Sequence, residues 1–427
     1  MERKRLSNDE ARKIIFEKFD ILGEIEKNWV YKIYANVISP IREARLMTKF
    51  DHKENIPEIF VKNNLSILPI NRWTYLIWHF ETHENISYDD RHIQNIEPRN
   101  DLESLDKNNL FSESLAINYA LVSWMFTKLM DEIFEPTISW RMSSSSFSFK
   151  VLDNESDSQR IIEVNNAQVE IDWWFESESK LMIIEAKMWK WDDFIIRQLY
   201  YPYRLRKQKV KKEVVPVFMT VSNDVFTFFV YKFDDDNDYN SIKLLFQKSF
   251  AINFEPITLQ EVKDILWKVK KVPEPNAPFP QADDFEKVIN LLEILQSWEK
   301  SDDELSEEYN FVIRQSHYYK NAAKYLWYAN SEHWKPLKLT EKWVKLMELP
   351  RRKRILKIIE EILSHPVFNK SFSMFLSKNW DIKSSEIVEI MKSCNLKNIW
   401  EESTYKRRAS TILWWCNWMI QTTEESE

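Results

Sequence analysis

The clearest alternation of hydrophobic and polar positions lies in the middle of the chain, where short apolar runs are separated by polar turns. Runs of this length, bounded by turn-forming residues, predict strands. The predicted strands span residues 147–152, 161–164, 169–172 and 181–187, followed by VVPVFMTV and VFTFFVYKF. Residues 192 to about 207 have helical spacing and interrupt this series. The pattern therefore predicts a mixed sheet with a helix on its face.

Helical patterns lie on both sides of the predicted sheet. Residues 9–19 and the segment SESLAINYALVSWMFTKLMDEIF carry apolar side chains at helical spacing, and Ser112 has the residue type of an N-cap. Beyond residue 283 the chain is predominantly helical. We therefore predict an α/β (α+β) fold class, with a mixed sheet core flanked by helices and a separate helical domain.

A proline-rich stretch, KVPEPNAPFPQ, marks a boundary between two of these parts. It has four prolines between Pro273 and Pro280, which is typical of a stiff, extended linker. We therefore divide the chain into an N-terminal mixed α/β region (1–100), a sheet-containing core (101–271), the linker (272–282) and a helical domain (283–427).

The composition is typical of a soluble globular protein. A chain of 427 residues can form two or three cores, and 44% hydrophobic with 30% charged residues is ordinary for this class. The first residues, MERKRLSNDEARK, lack the apolar core of a secretory signal. Cys394 and Cys416 are too few for a disulfide framework or a cysteine-based zinc site. We therefore expect a cytoplasmic protein with no membrane partner.

The basic residues are clustered, although the formal net charge of -7 does not by itself favour nucleic acid as a partner. Residues 197–212 contain seven Lys or Arg, and further clusters lie at 351–354 and 406–408. Each cluster taken alone is explained equally well by the solvated face of a helix.

Glycine is nearly absent and tryptophan is abundant, with 1 Gly against 19 Trp. A chain of this length would carry roughly 30 Gly at the usual frequency of ~7%, and folds need glycine at left-handed turns and helix C-caps. Eight tryptophans lie in stretches that resemble such turns, namely Trp73, Trp78, Trp173, Trp174, Trp189, Trp191, Trp334 and Trp343. We hypothesise that most tryptophans are glycines in the natural protein, encoded by UGA codons that its genome reads as glycine. UGG codons throughout would contradict this hypothesis.

Two carboxylates and one ammonium group are predicted to meet at the end of the sheet. Asp172 ends one apolar run, and Glu185 and Lys187 close the next one. Antiparallel pairing brings Asp172 beside Glu185, and residues two apart on a strand share a face, so Lys187 points the same way. Such a cluster suits Mg²⁺ and the attack of water on a phosphodiester. A surface hairpin with a salt-bridging lysine is the alternative.

These residues, D-x12-E-x-K, resemble the core of the PD-(D/E)xK nucleases, the fold of many restriction endonucleases. The resemblance implies that Asp172 and Glu185 hold the divalent metal and that Lys187 orients and activates the attacking water. It also implies that the following helix places Gln198 near the metal. The usual Q-x3-Y spacing is broken here, because residue 202 is Pro.

A further acidic ligand in this superfamily can come from a helix that precedes the sheet. Glu113 opens such a helix and is our candidate for a third metal ligand. A first-turn glutamate that is favoured only by the helix dipole is the alternative.

The helical domain resembles a winged helix-turn-helix. Its stretch LKLTEKW is similar to the L-T-x-x-G sequence that joins the wing to a helix, with Trp343 in the place of glycine. The resemblance implies that the helix before the wing reads base edges in the major groove of DNA. Its candidate contacts are Arg314, Gln315, His317, Tyr318 and Lys320. A helical packing or dimerisation module is the alternative.

Four arginines are candidates for contacts with DNA phosphates. Arg141 lies in a serine-rich loop before the first strand, and Arg204 lies in the basic helix. Arg407 and Arg408 precede the predicted start of a helix, whose N-terminus would assist in binding phosphate. A plain connecting loop is the alternative at Arg141.

Together these features favour a Mg²⁺-dependent endonuclease that hydrolyses phosphodiester bonds of double-stranded DNA, as a type II site-specific restriction enzyme. Cleavage of both strands implies a homodimer, and a cognate DNA methyltransferase is the expected functional partner. Two alternatives stay open. One is a DNA repair or junction-resolving nuclease with the same chemistry, and the other is a non-catalytic winged-helix regulator that binds DNA.

Overall fold

A computed structural model provides the structure of most of the chain. It describes residues 8–48, 50–89, 92–97, 99, 101–102, 104–105, 110, 112–138, 142–143, 145–156, 158–169, 173–252, 255–298, 317–330, 337–394, 396 and 401–424. Three structural parts follow one another in the sequence, and each has a hydrophobic core of its own or shares one with its neighbour.

The N-terminal part is a small three-stranded antiparallel sheet surrounded by short helices. The strand order is β1-β3-β2. Its core contains aromatic residues such as Phe16 and Phe60, together with Ile33 and Ile77 from the sheet. Its elements are α1 (Asn8–Lys18), α2 (Ile21–Lys27), β1 (Tyr31–Tyr34), α3 (Ala35–Ile38), α4 (Ala44–Thr48), a 3₁₀ helix (Lys53–Asn55), α5 (Glu58–Lys62), β2 (Ser66–Asn71) and β3 (Thr74–Trp78).

The middle part contains the predicted sheet. Its elements are β4 (His83–Asn85), β5 (Ile93–Ile96), α6 (Glu113–Val122), α7 (Met125–Met130), β6 (Glu135–Ile138), β7 (Met142–Ser143), β8 (Phe147–Leu152), β9 (Gln159–Val164), β10 (Gln168–Val169), β11 (Trp173–Glu176), β12 (Lys180–Met188), β13 (Asp193–Ile195), α8 (Arg197–Lys207), β14 (Glu213–Ser222), β15 (Val225–Phe233) and β16 (Ile242–Ile252). The predictions of strands at 147–152 and 181–187 are confirmed by β8 and β12.

Seven of these strands form one mixed sheet, in the order β5-β16-β15-β14-β12-β11-β6. β12 pairs with β11 in the antiparallel sense and with β14 in the parallel sense. The prediction of a mixed α/β fold with a mixed sheet is therefore confirmed.

Both faces of this sheet are covered, which explains why its central strands are almost continuously apolar. One face packs against α6 and α7 through residues such as Ile117, Phe126 and Ile184. The other face packs against α8 and the β8–β9 hairpin through residues such as Ile183 and Tyr200. Strand β12 lies between the two cores, so its successive side chains enter them alternately.

The C-terminal part is mainly helical and has a single large core. Its elements are β17 (Ile257–Thr258), α9 (Leu259–Lys268), α10 (Phe285–Trp298), α11 (His317–Tyr325), β18 (Ala329–Asn330), β19 (Lys338–Leu339), α12 (Glu341–Met347), α13 (Arg351–Ser364), α14 (Pro366–Ser377), α15 (Ser384–Ser393), α16 (Glu402–Gln421) and β20 (Thr423–Glu424). Within the described ranges, no helix combines the length and the apolar character needed to cross a bilayer.

The structure places the start of this helical part earlier than the sequence division does. Val262 and Leu266 of α9 are buried in the C-terminal core, and β17 pairs with β20 at the other end of the domain. Phe279 and Ala282, from the proline-rich stretch, are buried in the same core. The stretch therefore lies against the helical domain, because its apolar side chains are packed there.

Two predicted helices differ from the observed ones. The long helix after Ser112 is divided into α6 and α7, because Trp124 has φ 61° and a left-handed residue cannot continue a right-handed helix. The predicted helix from residue 192 starts later, since residues 193–195 form β13 and pair with β4. Pairing with a distant strand is not visible in local spacing.

Among the described residues, four tryptophans have the backbone conformation that favours glycine: Trp124 (φ 61°), Trp189 (φ 71°), Trp327 (φ 55°) and Trp380 (φ 71°). Trp327 follows α11 in a hydrogen-bonding pattern typical of a glycine C-cap, in which its N–H donates to Lys324 and that of Tyr328 donates to Ala323. These four positions support the glycine hypothesis.

The backbone gives no such support at several of the tryptophans that the sequence pattern indicated. Trp173 and Trp174 do not form a turn, because they belong to strand β11 and pair with Ile184 and Ile183. Trp343 lies inside α12 and is fully buried. Trp334 lies outside the described residues.

We predict that Trp124→Gly stabilises the protein. A left-handed conformation destabilises a non-glycine residue by about 1–2 kcal/mol. Glycine avoids this strain, but its greater freedom in the unfolded chain lowers the stability of the folded state by roughly 0.5–1 kcal/mol. Trp124 is 55% exposed, so little burial is lost. Chemical unfolding should therefore show a gain of up to about 1 kcal/mol.

Trp415→Gly is the matched control. Trp415 lies in α16, is fully buried and stacks on Phe368, so its removal should destabilise the protein by about 3–5 kcal/mol. Equal losses in the two variants would contradict the strained-backbone interpretation of Trp124.

Candidate active site

Glu185 and Lys187 lie together near the end of β12. Leu181 and Ile183 of this strand join the core under α8, and the alternation of the strand puts Glu185 and Lys187 on the same face. Glu185 is only 6% exposed. The Lys187 Nζ atom is 2.5 Å from Glu185 Oε1, so the two predicted residues form a close ion pair.

Gln198 reaches the same carboxylate from the following helix. It is the second residue of α8, and its Nε2 donates a hydrogen bond to Glu185 Oε1 at 2.6 Å. Its Oε1 is buried and has no hydrogen-bond partner among the residues that the structure describes. A buried acceptor without a partner is uncommon in folded proteins and calls for a ligand or a water.

Glu113 approaches from the opposite helix layer. It is the first residue of α6, where the Ser112 side chain caps the helix by accepting a hydrogen bond from the N–H of Leu115. The Glu113 carboxylate is 3.8 Å from Lys187 Nζ. The structure therefore brings four predicted site residues together, from one strand and two helices.

Asp172 lies outside the described residues, so the structure does not give its position. The next residue in the chain, Trp173, pairs with Ile184, which directly precedes Glu185.

The donor set of this cluster suits a hard divalent cation. Mg²⁺ prefers oxygen ligands, commonly one or two carboxylates together with water. Glu185 and Glu113 supply carboxylates, and the unpaired Gln198 Oε1 is a further oxygen in the same place. Within the described ranges, no group of three or more His, Cys, Asp or Glu is arranged to hold a metal. Two glutamates together with Asp172 would make such a group.

The tyrosines of the segment RQLYYPYR pack inside the protein and form hydrogen bonds there. Tyr201 is buried, and its hydroxyl donates to the carbonyl of Pro69. Tyr203 donates to the Asp236 carboxylate. Burial raises the pKa of both hydroxyl groups. Neither residue therefore stands in for the tyrosine of the Q-x3-Y pattern.

Arg204 is also an interior residue. It is 5% exposed, and its guanidinium donates to the carbonyls of Ser148 and Asp236 and to the hydroxyl of Tyr200. The sequence-based expectation of a phosphate contact conflicts with this position, because all three bonds tie the side chain to the fold. Clustering of basic residues in the sequence did not distinguish this inward position from an outward one.

The remaining DNA-contact candidates lie in the helical part or outside the described residues. Arg141, Arg314 and Gln315 are outside them, as is the side chain of His317 at the start of α11. Tyr318 is 47% exposed on α11, and Lys320 follows it on the same helix.

Arg407 and Arg408 lie inside α16, which begins at Glu402, so the prediction that they precede the start of this helix is wrong. Arg408 is half-buried, and its Nε and Nη1 atoms are buried without hydrogen-bond partners among the described residues. Burial lowers the pKa of Arg408, Arg407 lowers it further, and Tyr318 and Asp283 oppose the shift. The buried N–H groups of Arg408 are suited to an anionic partner such as a phosphate.

Sequence reasoning missed the residues that hold the loop after Lys187. Lys287 and Asn290 of α10 contact residues 190 and 192 of this loop, from about 100 positions further along the chain. No motif or spacing in the sequence connects these two segments. Only the packing of the C-terminal part on the sheet brings them together.

Three family models match successive stretches of the chain, and each is described as a domain of unknown function. They are DUF6996 over residues 9–77, DUF6997 over residues 78–251 and DUF7226 over residues 287–424. The second stretch contains Glu113, Glu185, Lys187 and Gln198, and the third contains Arg407 and Arg408. The searches of curated proteins and of solved structures gave no match.

We predict that Mg²⁺ stabilises the folded protein through Glu185. A ligand that binds only the native state stabilises it by about 2.7 kcal/mol at 100 times its dissociation constant, so the melting temperature should rise when Mg²⁺ is added. Glu185→Gln should remove most of this rise, because a neutral amide is a weaker ligand for a hard cation. The measurement is thermal unfolding across a Mg²⁺ titration.

Glu132→Gln is the matched control. Glu132 contacts Lys180 at the opposite end of β12, and this lysine holds the pKa of the Glu132 carboxyl at about 2. The control should keep the full Mg²⁺ effect. An equal rise in wild type and Glu185→Gln would place the cation elsewhere.

Proposed function

We propose that this protein is a Mg²⁺-dependent endonuclease of the PD-(D/E)xK type that cleaves double-stranded DNA, with type II restriction as its role. One observation carries the proposal. Four residues that the sequence assigned to one site, on one strand and two helices, are linked by successive contacts, from Glu113 to Lys187, from Lys187 to Glu185 and from Glu185 to Gln198. A chance occurrence of E-x-K in a surface hairpin would not bring Glu113 and Gln198 into contact with this pair.

Asp172, Glu185 and Glu113 would hold the Mg²⁺ ion in this proposal. When bound, Mg²⁺ supplies Lewis-acid stabilisation of the phosphate oxygens. The strand register supports Asp172 as a partner of Glu185, since Trp173 and Ile184 are already paired.

Lys187 would act on the attacking water and on the phosphate. Its Nζ atom is a charged donor of up to three hydrogen bonds, beside the Glu185 carboxylate. From there it can orient a water molecule and offset the negative charge that develops on the phosphate. Gln198 would fix the Glu185 carboxylate through Nε2 and accept a hydrogen bond from water through its unpaired Oε1.

The order of the elements supports the same assignment. A helix (α6), an antiparallel strand pair (β11 and β12), a second helix (α8) and a strand parallel to β12 (β14) follow one another. This is the order that the resemblance to the nuclease core implies. Helices also cover both faces of the sheet, α8 on one and α6 with α7 on the other.

The C-terminal part would bind the DNA. Helix α11, the β18–β19 pair and helix α12 follow one another in the order of a winged helix, and Thr340 caps α12 within the L-T-x-x-G-like sequence. Tyr318 and Lys320 on α11 would contact the bases, and Arg407 and Arg408 would bind phosphate. A homodimer would cut both strands, and a DNA methyltransferase would protect the host sites.

The proposal predicts cleavage of a sequence-diverse plasmid into discrete fragments in Mg²⁺. Lys187→Ala should reduce the cleavage rate by about 10²–10³-fold, as the loss of one preorganised charged donor does in other enzymes. Because this variant removes the ion-pair partner of the buried Glu185 carboxylate, which is destabilising, Glu185→Gln is measured as well. Thermal melting checks that both variants are folded.

Lys180→Ala is the control, since Lys180 lies on the same strand but pairs with Glu132 at the opposite end. It should retain the wild-type rate within a few-fold. Wild-type cleavage by a folded Lys187→Ala protein would exclude the proposed site. Cleavage only at junctions or damaged DNA would favour the repair nuclease, and binding without cleavage would favour the regulator.

A further inference from the structure

One loop connects the residues of the candidate site to one another. Residues 189–192 leave β12 directly after Lys187 and Met188, and lead through β13 to α8 and Gln198. The N–H of Trp189 donates to the carbonyl of Val221 at 2.7 Å, which continues the pairing of β12 with β14. The position of this loop therefore sets the position of Gln198 relative to Glu185.

Helix α10 of the C-terminal part contacts this loop along one face. Lys287 forms an ion pair with Asp192, and the Nδ2 of Asn290 donates to the carbonyl of Lys190 at 3.2 Å. Lys190 in turn lies 3.9 Å from the carboxylate of Glu286. Residues three and four apart on a helix face the same way, so these contacts come from a single surface.

The same face of α10 contacts the tight turn between β14 and β15. Ser222 donates its hydroxyl hydrogen bond to Asn290 Oδ1 at 2.9 Å, and the N–H of Asn223 donates to Glu293 Oε1 at 2.8 Å. Arg354 of α13 adds a hydrogen bond to the Asn223 side chain at 3.1 Å. The turn is therefore held by two helices of the C-terminal part.

Asn290 is the residue that joins the two loops. Its amide nitrogen bonds the loop after β12, and its amide oxygen bonds the turn after β14. The side chain is 6% exposed, so each bond is made without competition from bulk water. Truncating it removes both bonds at once, while the Ser222 hydroxyl keeps its hydrogen bond to Glu293 Oε2 at 3.0 Å.

Both loops emerge from the end of the sheet that carries the candidate site. Lys187 pairs with Thr220 and Met188 with Val221 in the parallel register of β12 and β14. A displacement of either loop therefore acts within two or three residues of Lys187. Helix α10 itself packs against α11, the helix proposed to contact DNA bases.

We propose that Asn290 is a positioning residue, through which the C-terminal part holds the loop after Lys187. The rate of catalysis then depends on how the C-terminal part binds DNA. This inference rests on the proposed nuclease function. Displacement of a catalytic group by about 1 Å can cost on the order of 10²-fold in rate. The role of Asn290 is thus expected in turnover rather than in DNA affinity.

The test compares Asn290→Ala with Gln296→Ala in the full chain. Gln296 also lies on α10, but it accepts a hydrogen bond from Trp343 within the C-terminal part and, among the described residues, makes no hydrogen bond to the two loops. Asn290→Ala should lower single-turnover cleavage by about 10–100-fold, with the dissociation constant for DNA unchanged within about twofold. Gln296→Ala should leave the cleavage rate unchanged within a few-fold.

Hydrogen exchange supplies a readout that does not need cleavage. Asn290→Ala should speed exchange at residues 189–192 and leave it unchanged near Glu132 and Lys180, because only the first segment loses a hydrogen bond to α10. Ser222→Ala removes the hydrogen bond to Asn290 Oδ1 from the sheet side, together with the bond to Glu293, and leaves the bond from Asn290 to Lys190 in place. It is the second variant if Asn290→Ala does not fold.

Failure of this inference and failure of the proposed function give different results. A wild-type protein that binds but does not cut DNA contradicts the nuclease proposal. A wild-type protein that cuts DNA, with Asn290→Ala and Ser222→Ala cutting at the same rate, contradicts the positioning role. Equal loss of DNA affinity and of turnover in Asn290→Ala also contradicts it, because that result indicates a purely structural contact.

Discussion

A buried carboxylate near the end of a central strand is the constraint on which the rest of the structure depends. Glu185 is almost entirely removed from solvent, and a charge in that position is costly unless it is paired and hydrogen-bonded. Lys187 and Gln198 provide the pair and the hydrogen bond to the same oxygen. The strand places Lys187 on the same face as Glu185, whereas the position of Gln198 depends on the loop after β12 and on the first turn of α8. The free-energy cost of burying this charge is more readily explained by a role in catalysis or metal binding than by a contribution to stability.

The attachment of the C-terminal part follows from the same geometry. Strands β12 and β14 run in parallel, so the loops that follow them emerge side by side at the end of the sheet that carries the site. Helix α10 contacts both loops through one buried amide, that of Asn290. The DNA-binding and catalytic parts in our proposal are therefore joined at the catalytic end of the sheet. DNA recognition by the C-terminal part and cleavage at the candidate site can be coupled directly through these contacts.

Much of the fold and the core of the site could be predicted from local sequence pattern. Strand β12 was identified by its apolar run, and the spacing of Glu185 and Lys187 fixed their common face. Gln198 was identified through the resemblance to the nuclease core, which implies a glutamine on the next helix. Local pattern failed where a distant partner decided the outcome. Strand β13 forms because β4 is beside it, and Arg204 is buried because the carbonyls of Ser148 and Asp236 surround its guanidinium.

The most direct test of the account is the location of a bound divalent cation. Crystals grown with duplex DNA and Mn²⁺, which gives an anomalous X-ray signal, should contain a peak within coordination distance of the Glu185 carboxylate, on the face covered by α8. The peak should be lost in Glu185→Gln crystals. A protein that cleaves DNA in Mn²⁺, yet whose anomalous peak lies away from Glu185, would contradict the assignment of this cluster as the active site.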